Sequence, residues 1–160
     1  MTVIAVDKDL ASLTMLITAQ FDAPIERIWQ LWADPRQLER WWGPPMYPAT
    51  FVDHDLVPGG EVTYFMTGPE GDTPHGWWRV RSVDSPHHLE FEDGFANDLG
   101  VPDPDMPTTI THVTLVDFEG GTRMAISTTF PSDEAMAQMI EMGVEEGMAA
   151  AVGQIDALLD

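Results

Sequence analysis

The feature that most constrains this chain is its last segment, "PSDEAMAQMIEMGVEEGMAAAVGQIDALLD". Met136, Met139, Ile140, Gly143, Val144, Gly147, Met148, Ala151, Val152, Ile155, Leu158 and Leu159 recur at helical spacing and form one broad apolar stripe. Ser132 stands where an N-cap belongs, followed by Asp133 and Glu134 in the first turn. The pattern predicts a single helix roughly 40 Å long at 1.5 Å per residue. An apolar stripe of that length needs an equally long surface to cover it.

The rest of the chain supplies that surface. "SLTMLITAQF" alternates with period two, placing Leu13, Met15, Ile17, Ala19 and Phe21 on one face of a strand. "DAPIERIWQLWADP" then reads as a helix. Asp22 is able to cap it, Pro24 is tolerated early, and Asp34-Pro35 stops it. "RQLERWW" makes a second short helix, ended by Gly43-Pro44-Pro45. From Ala49 to Phe130 short strand-like runs alternate with Gly- and Pro-containing turns, the pattern of an antiparallel meander. The acidic, proline-rich stretch at about 96–108 interrupts it as a long loop. The expected class is therefore α+β: a curved antiparallel sheet of about six to seven strands wrapped around a long C-terminal helix, with two short helices after the first strand. With 160 residues, no repeat and no linker, residues 1–160 are expected to form one domain.

Charge limits the partners. Asp and Glu number 27 against 7 Lys and Arg, a formal net charge of -20. Such a surface repels phosphate backbones and anionic headgroups, so no nucleic acid and no membrane are expected as partners. Cysteine is absent, which excludes disulfides, thiol catalysis and thiolate metal sites. The N-terminal stretch has no signal-like apolar run, and a cytoplasmic protein, monomer or homodimer, is the expectation.

"FDAPIERIWQLWADPRQLERWWGP" resembles the N-terminal signature of the SRPBCC (START-like, helix-grip) superfamily. It is similar to the branch named after the activator of the heat-shock-protein-90 ATPase. The residues that carry the likeness are Phe21, Ala23, Pro24, Ile28, Trp29, Asp34, Pro35, Trp41, Trp42, Gly43 and Pro44. They are followed by Gly59-Gly60, the "SVDSPHHLEF" turn and Gly121-Thr122. One departure stands out: relatives often carry Gly-Trp in the last helix, where this chain has Gly147-Met148. The resemblance implies a helix-grip fold with a hollow between helix and sheet. It implies no single activity, because the superfamily hosts carriers, cyclases, hydrolases and co-chaperone domains.

The residues suggest what would fill that hollow. Methionine-rich helix faces are flexible and polarizable. Two glycines on one helical face each cost about 1 kcal/mol against alanine, and they leave room either for close packing or for a ligand. Trp32, Trp42, Phe65, Trp78, Phe91, His112, Met136, Met139, Ile140, Gly143 and Gly147 are the expected ligand-binding residues, and the ligand a small hydrophobic, lipid- or polyketide-like molecule. Two alternatives stay open: a cyclase- or hydrolase-type enzyme working in the same hollow, and a protein-interaction module. The five histidines, His54, His75, His87, His88 and His112, show no metal-binding spacing. Phosphate-binding loops, nucleophile elbows and dinucleotide fingerprints are all missing, so neither metal nor cofactor is expected. Arg79 and Arg81 share a strand face and are expected to pair with acids across the sheet.

Overall fold

The computed structural model describes residues 3–159. Eight antiparallel strands form one curved, unclosed sheet: β1 (Val3–Asp9), β2 (Thr14–Phe21), β3 (Ala49–His54), β4 (Glu61–Met66), β5 (His75–Asp84), β6 (His88–Ala96), β7 (Thr109–Phe118) and β8 (Gly121–Thr129). Their order across the sheet is β1-β2-β8-β7-β6-β5-β4-β3, so β1 and β3 are the edges. The sheet thus has one strand more than the upper expectation. The additional strand is β1, which precedes the first predicted one and pairs with it from Val3–Gln20 to Asp9–Thr14. Its charged end, Asp7-Lys8-Asp9, hides the alternation that marks the inner strands.

The two short helices follow β2 as α1 (Ile25–Ala33) and α2 (Pro35–Leu38). The N-cap of α1 is Pro24 rather than Asp22, and it makes no side-chain cap. Asp34 does cap α2, accepting the Arg36 N–H at 2.9 Å. Ile25, Ile28, Trp29, Leu31 and Trp32 of α1 are buried against the concave face of the sheet, where α1 meets β7 and β8.

The C-terminal segment is helical, but not as a single rod. It divides into α3 (Asp133–Glu141), α4 (Val144–Gly153) and a 3-10 turn at Ile155–Leu158. Ser132 caps α3 by accepting the Ala135 N–H at 3.1 Å. The break falls at Gly143, whose φ of 93° lies in the left-handed region that glycine alone occupies freely. The apolar stripe does not reveal the break, because its periodicity runs on through it. Two hydrogen-bond sets then fix the end of the chain. Gln154 Nε2 donates to the carbonyls of Trp41 (3.2 Å) and Gly43 (2.7 Å), and the Arg27 guanidinium donates to Leu158 O (2.6 Å) and Gln37 Oε1 (2.7 Å). The Trp-Trp-Gly-Pro turn is therefore the seat of α4; the second helix is shorter than expected and ends at Leu38, with Glu39 as C-cap, before the tryptophans.

The stretch between β6 and β7 closes back on itself. Asn97 Oδ1 accepts the N–H groups of Leu99 and Val101, and Ala96 bridges Pro102. Among the described residues no helix is long and apolar enough to cross a membrane.

Because Gly143 holds the α3–α4 junction in a left-handed conformation, Gly143→Ala is expected to destabilise the fold by about 1–2 kcal/mol. Urea denaturation should show this as a lowered midpoint at unchanged slope.

Candidate functional site

Part of the concave face is filled by a cluster of aromatic rings. Trp32 lies edge-on to Trp41 (4.8 Å between ring centroids) and Trp42 (5.8 Å), and tilted against Trp78 (6.2 Å) and Phe91 (6.5 Å). Trp78 and Phe91 stack at 4.0 Å. Trp32, Trp78, Phe91 and Met136 are buried in this packed core and do not line the cavity at the α3–α4 junction.

The filling stops short of the α3–α4 junction, where a cavity of about 190 Å³ remains, partly open to solvent. Its helical wall is Met139, Val144, Gly147 and Met148, its near end Trp42 and Pro44, and its sheet wall Tyr64, Met66, Asp93, Gly94, Phe95 and Thr109. Strand register builds the sheet wall. Trp78, Asp93 and Thr109 are consecutive partners across β5, β6 and β7, and Tyr64, Gly76 and Phe95 across β4, β5 and β6. Tyr64 lies flat because Gly76 has no side chain: a Cβ there would stand 2.4 Å from the phenol oxygen. Gly147 contributes a different kind of space. A Cβ at that position would meet nothing within 4 Å, so the helix wall is open there.

Of the residues expected from sequence, the structure gathers Trp42, Met139 and Gly147 at this cavity. The others lie elsewhere. Phe65 and His75 pack together on the opposite face of the sheet (5.4 Å), and His112 is also on that face, 3.3 Å from Glu90. Ile140 is half-buried against the core, and Gly143 breaks the helix instead of lining the cavity. Trp41 is core, its Nε1 donating to Leu31 O at 3.0 Å. Arg79 pairs with Glu61 (3.6 Å) and Arg81 with Glu90 (3.2 Å) on the outer face, as the alternation of β5 requires.

Sequence reading missed the polar groups of the cavity. Asp93 follows Leu89 and Phe91 on the inward-facing side of β6, and that alternation is the signal that would have placed it. Burial lifts its carboxyl from 3.8 to about 7, against a smaller opposing effect of the Gly94 N–H. Among the described residues no Lys, Arg or His pairs with it. Burial also pushes the Tyr64 phenol upward, and nearby Asp93 adds to the shift. The Trp42 and Trp78 indoles approach that hydroxyl closely enough to oppose part of the shift, but neither buried Nε1–H reaches hydrogen-bond geometry with it or with another described residue. An unpartnered buried N–H costs about 1–3 kcal/mol. The other two indoles at the hub are satisfied, Trp41 by Leu31 O and Trp32 by the Met124 sulfur at 3.4 Å.

Residues 22–160 match the model of the family described as "Activator of Hsp90 ATPase homolog 1-like protein". The chain belongs to that family. A crystal structure of a protein from Mycobacterium smegmatis is 52% identical, covering 99% of this chain and 98% of that one with a TM-score of 0.92. A solution structure of a protein from Arthrobacter aurescens is 51% identical over 97% of this chain and 90% of its own, with a TM-score of 0.93. A Staphylococcus epidermidis protein is 28% identical over 97% of this chain and 93% of its own, with a TM-score of 0.83. No curated protein matches the chain. Membership of the Hsp90-activator-like family agrees with the resemblance carried by the Phe-x-Ala-Pro and Trp-Trp-Gly-Pro segments.

The raised carboxyl makes a pH prediction. Folded Asp93 keeps its proton up to about pH 7, while the unfolded chain loses it near 3.8. The folded state therefore binds more protons between these values, and stability falls as pH rises through the window. Asp93→Asn removes this slope. Relative to wild type it should gain at least about 1 kcal/mol between pH 5 and pH 8. Urea unfolding of both proteins at these two pH values, above the pI of about 4.2 where solubility is least, checks it.

Proposed function

We propose that this protein binds a small hydrophobic molecule carrying one polar group, seated between the α3–α4 junction and the sheet. The observation that carries the reading is the pairing of an apolar cavity with the unpartnered indole N–H of Trp42, which lines it together with Asp93 and Tyr64. Apolar walls with a few polar anchors are the usual make-up of a small-molecule site. A cavity of about 190 Å³ is close in size to cavities that hold a single benzene-like ring. It fits a one- or two-ring molecule better than a long acyl chain. A neutral Asp93 donates a hydrogen bond as well as accepting one, and the Trp42 indole N–H donates. The matching ligand group is a hydroxyl or carbonyl rather than a carboxylate, which the field of a chain of net charge -20 would also repel.

Acid–base chemistry on the bound molecule is the second reading, and Asp93 is the reason for it. A carboxyl titrating at about 7 inside an apolar site is poised to take up and release protons at neutral pH. In that reading Asp93 handles the proton and Tyr64 positions the reacting oxygen. The protein-interaction reading rests on the family name alone.

Native mass spectrometry of protein purified from its own cells, with thermal shifts against 2-naphthol, naphthalene, phenol and cyclohexanol, tests the binding reading. The hydroxyl-bearing rings are expected to raise the unfolding temperature more than naphthalene does. Gly147→Leu places a side chain in the space now open and should abolish these shifts while the protein stays folded. Gly147→Ala should by itself stabilise α4 by up to about 1 kcal/mol. Absence of any shift up to the solubility limit with no co-purifying molecule, or unchanged binding by Gly147→Leu, would overturn it. A change in mass of a co-purified ligand on incubation, lost in Asp93→Asn with binding retained, would favour the enzymatic reading.

A further inference from the structure

A second cluster lies on the opposite face of the sheet, away from the cavity. His88 and Glu90 are two residues apart on β6 and point to the same outer side, and His112 of β7 is the cross-strand partner of Glu90. One ligand atom from each of the three falls within 4.8 Å of the other two. His112 Nε2 is 3.3 Å from Glu90 Oε1, and the two imidazole rings are 5.6 Å apart. Spacing tests along the sequence overlook this set because strand pairing, not chain proximity, brings His112 to His88 and Glu90. We propose that His88, Glu90 and His112 form a binding site for a divalent transition-metal ion of the zinc type.

Four features of the site support this assignment. First, two imidazoles and one carboxylate are ligands suited to zinc, copper or nickel, and unsuited to magnesium or calcium. Second, ligands about 2.0–2.2 Å from a tetrahedral ion lie roughly 3.3–3.6 Å from one another, so the Glu90–His112 pair already has the required separation and His88 needs only a modest rotation. Third, the three residues rise from paired strands, a platform that limits how far their side chains stray, with Glu90 largely shielded and His112 partly open to solvent. Fourth, Arg81 Nε holds the other carboxylate oxygen, Oε2, at 3.2 Å. That contact leaves Oε1 facing the histidines, the arrangement in which an outer partner orients a ligating carboxylate. Arg81 also places a positive charge beside the site, opposing the attraction of a chain whose net charge is -20. Three protein ligands leave a fourth coordination position on the solvent side, open to water or to a small anion.

Isothermal titration of zinc chloride into the chelator-treated, untagged full chain is the test, with cobalt(II) absorption in the visible range as a second readout. Wild type is expected to take one zinc per chain and to unfold at a higher temperature in its presence. The double variant His88→Ala/His112→Ala should bind zinc roughly tenfold or more weakly. It should also lose the zinc-dependent thermal shift, with its zinc-free unfolding temperature close to that of wild type because both side chains lie on the outer face. Magnesium in large excess should not displace the ion. Equal zinc affinity in the double variant, or displacement by magnesium, would assign the binding to the general acidic surface and end the proposal. So would the absence of saturable binding to wild type.

Discussion

The indole of Trp32 touches four other aromatic rings, and that contact ties α1 and the turn after α2 to the sheet. Trp32 belongs to α1, Trp41 and Trp42 to the turn after α2, Trp78 to β5 and Phe91 to β6. Edge-to-face and stacked pairs of this kind contribute about 0.5–1.5 kcal/mol each beyond the area they bury. The rings occupy the part of the concave face beneath the first two helices and seat the Trp-Trp-Gly-Pro turn. The carbonyls of that turn then receive Gln154, which holds the end of α4 in place. The C-terminal helices are left to cover what the aromatic cluster does not. The cavity is the residue of this division: the cluster ends at Trp42, and no side chain at position 147 comes down to meet it.

The cavity joins two kinds of group that a core normally keeps apart. Met139, Val144 and Met148 make an adaptable apolar wall, and facing them the register of β5, β6 and β7 delivers Asp93 between Trp78 and Thr109. A carboxyl in that row weakens the fold at neutral pH and above, and apolar replacements of similar size are available. Two buried indole N–H groups without partners add to the same cost. Local departures from good packing chemistry that coincide in one place are the ground of the binding proposal.

How much of this was legible in the sequence depended on whether the signal was local. The Phe-x-Ala-Pro entry to α1, the Asp34-Pro35 stop, the Ser132 cap and the alternation of β2 are all written in a few consecutive residues, and each appears where it was read. Strand β1 was missed because an edge strand with charged residues at one end need not alternate. The division of the last helix was missed because Gly143 changes the backbone without disturbing the order of apolar residues. The site depended on longer relations. Trp42, Met139 and Gly147 were found because turn and helix patterns point at the hollow, whereas Trp32, Trp78 and Phe91 were drawn into the prediction only by being large and aromatic. Asp93 needed the inward phase of β6, and the His88–Glu90–His112 cluster needed the pairing of β6 with β7, which no spacing within either strand specifies.

An unclosed sheet has two edge strands, β1 and β3, each with a row of backbone groups that no further strand pairs; on β3 the Phe51 N–H and carbonyl are taken by Glu39 and Arg36. Such rows template intermolecular stacking unless something forbids it. Here β1 ends in Asp7-Lys8-Asp9, with Lys8 tied to Glu145 of α4, and β3 is kinked between Phe51 and Asp53 by an irregularity in its pairing. A second molecule sliding alongside would find its ladder out of step on one side and like charge against like on both. The acidity of this chain thus acts as a guard on its open margins, disfavouring cross-β growth from an exposed edge in a crowded solution.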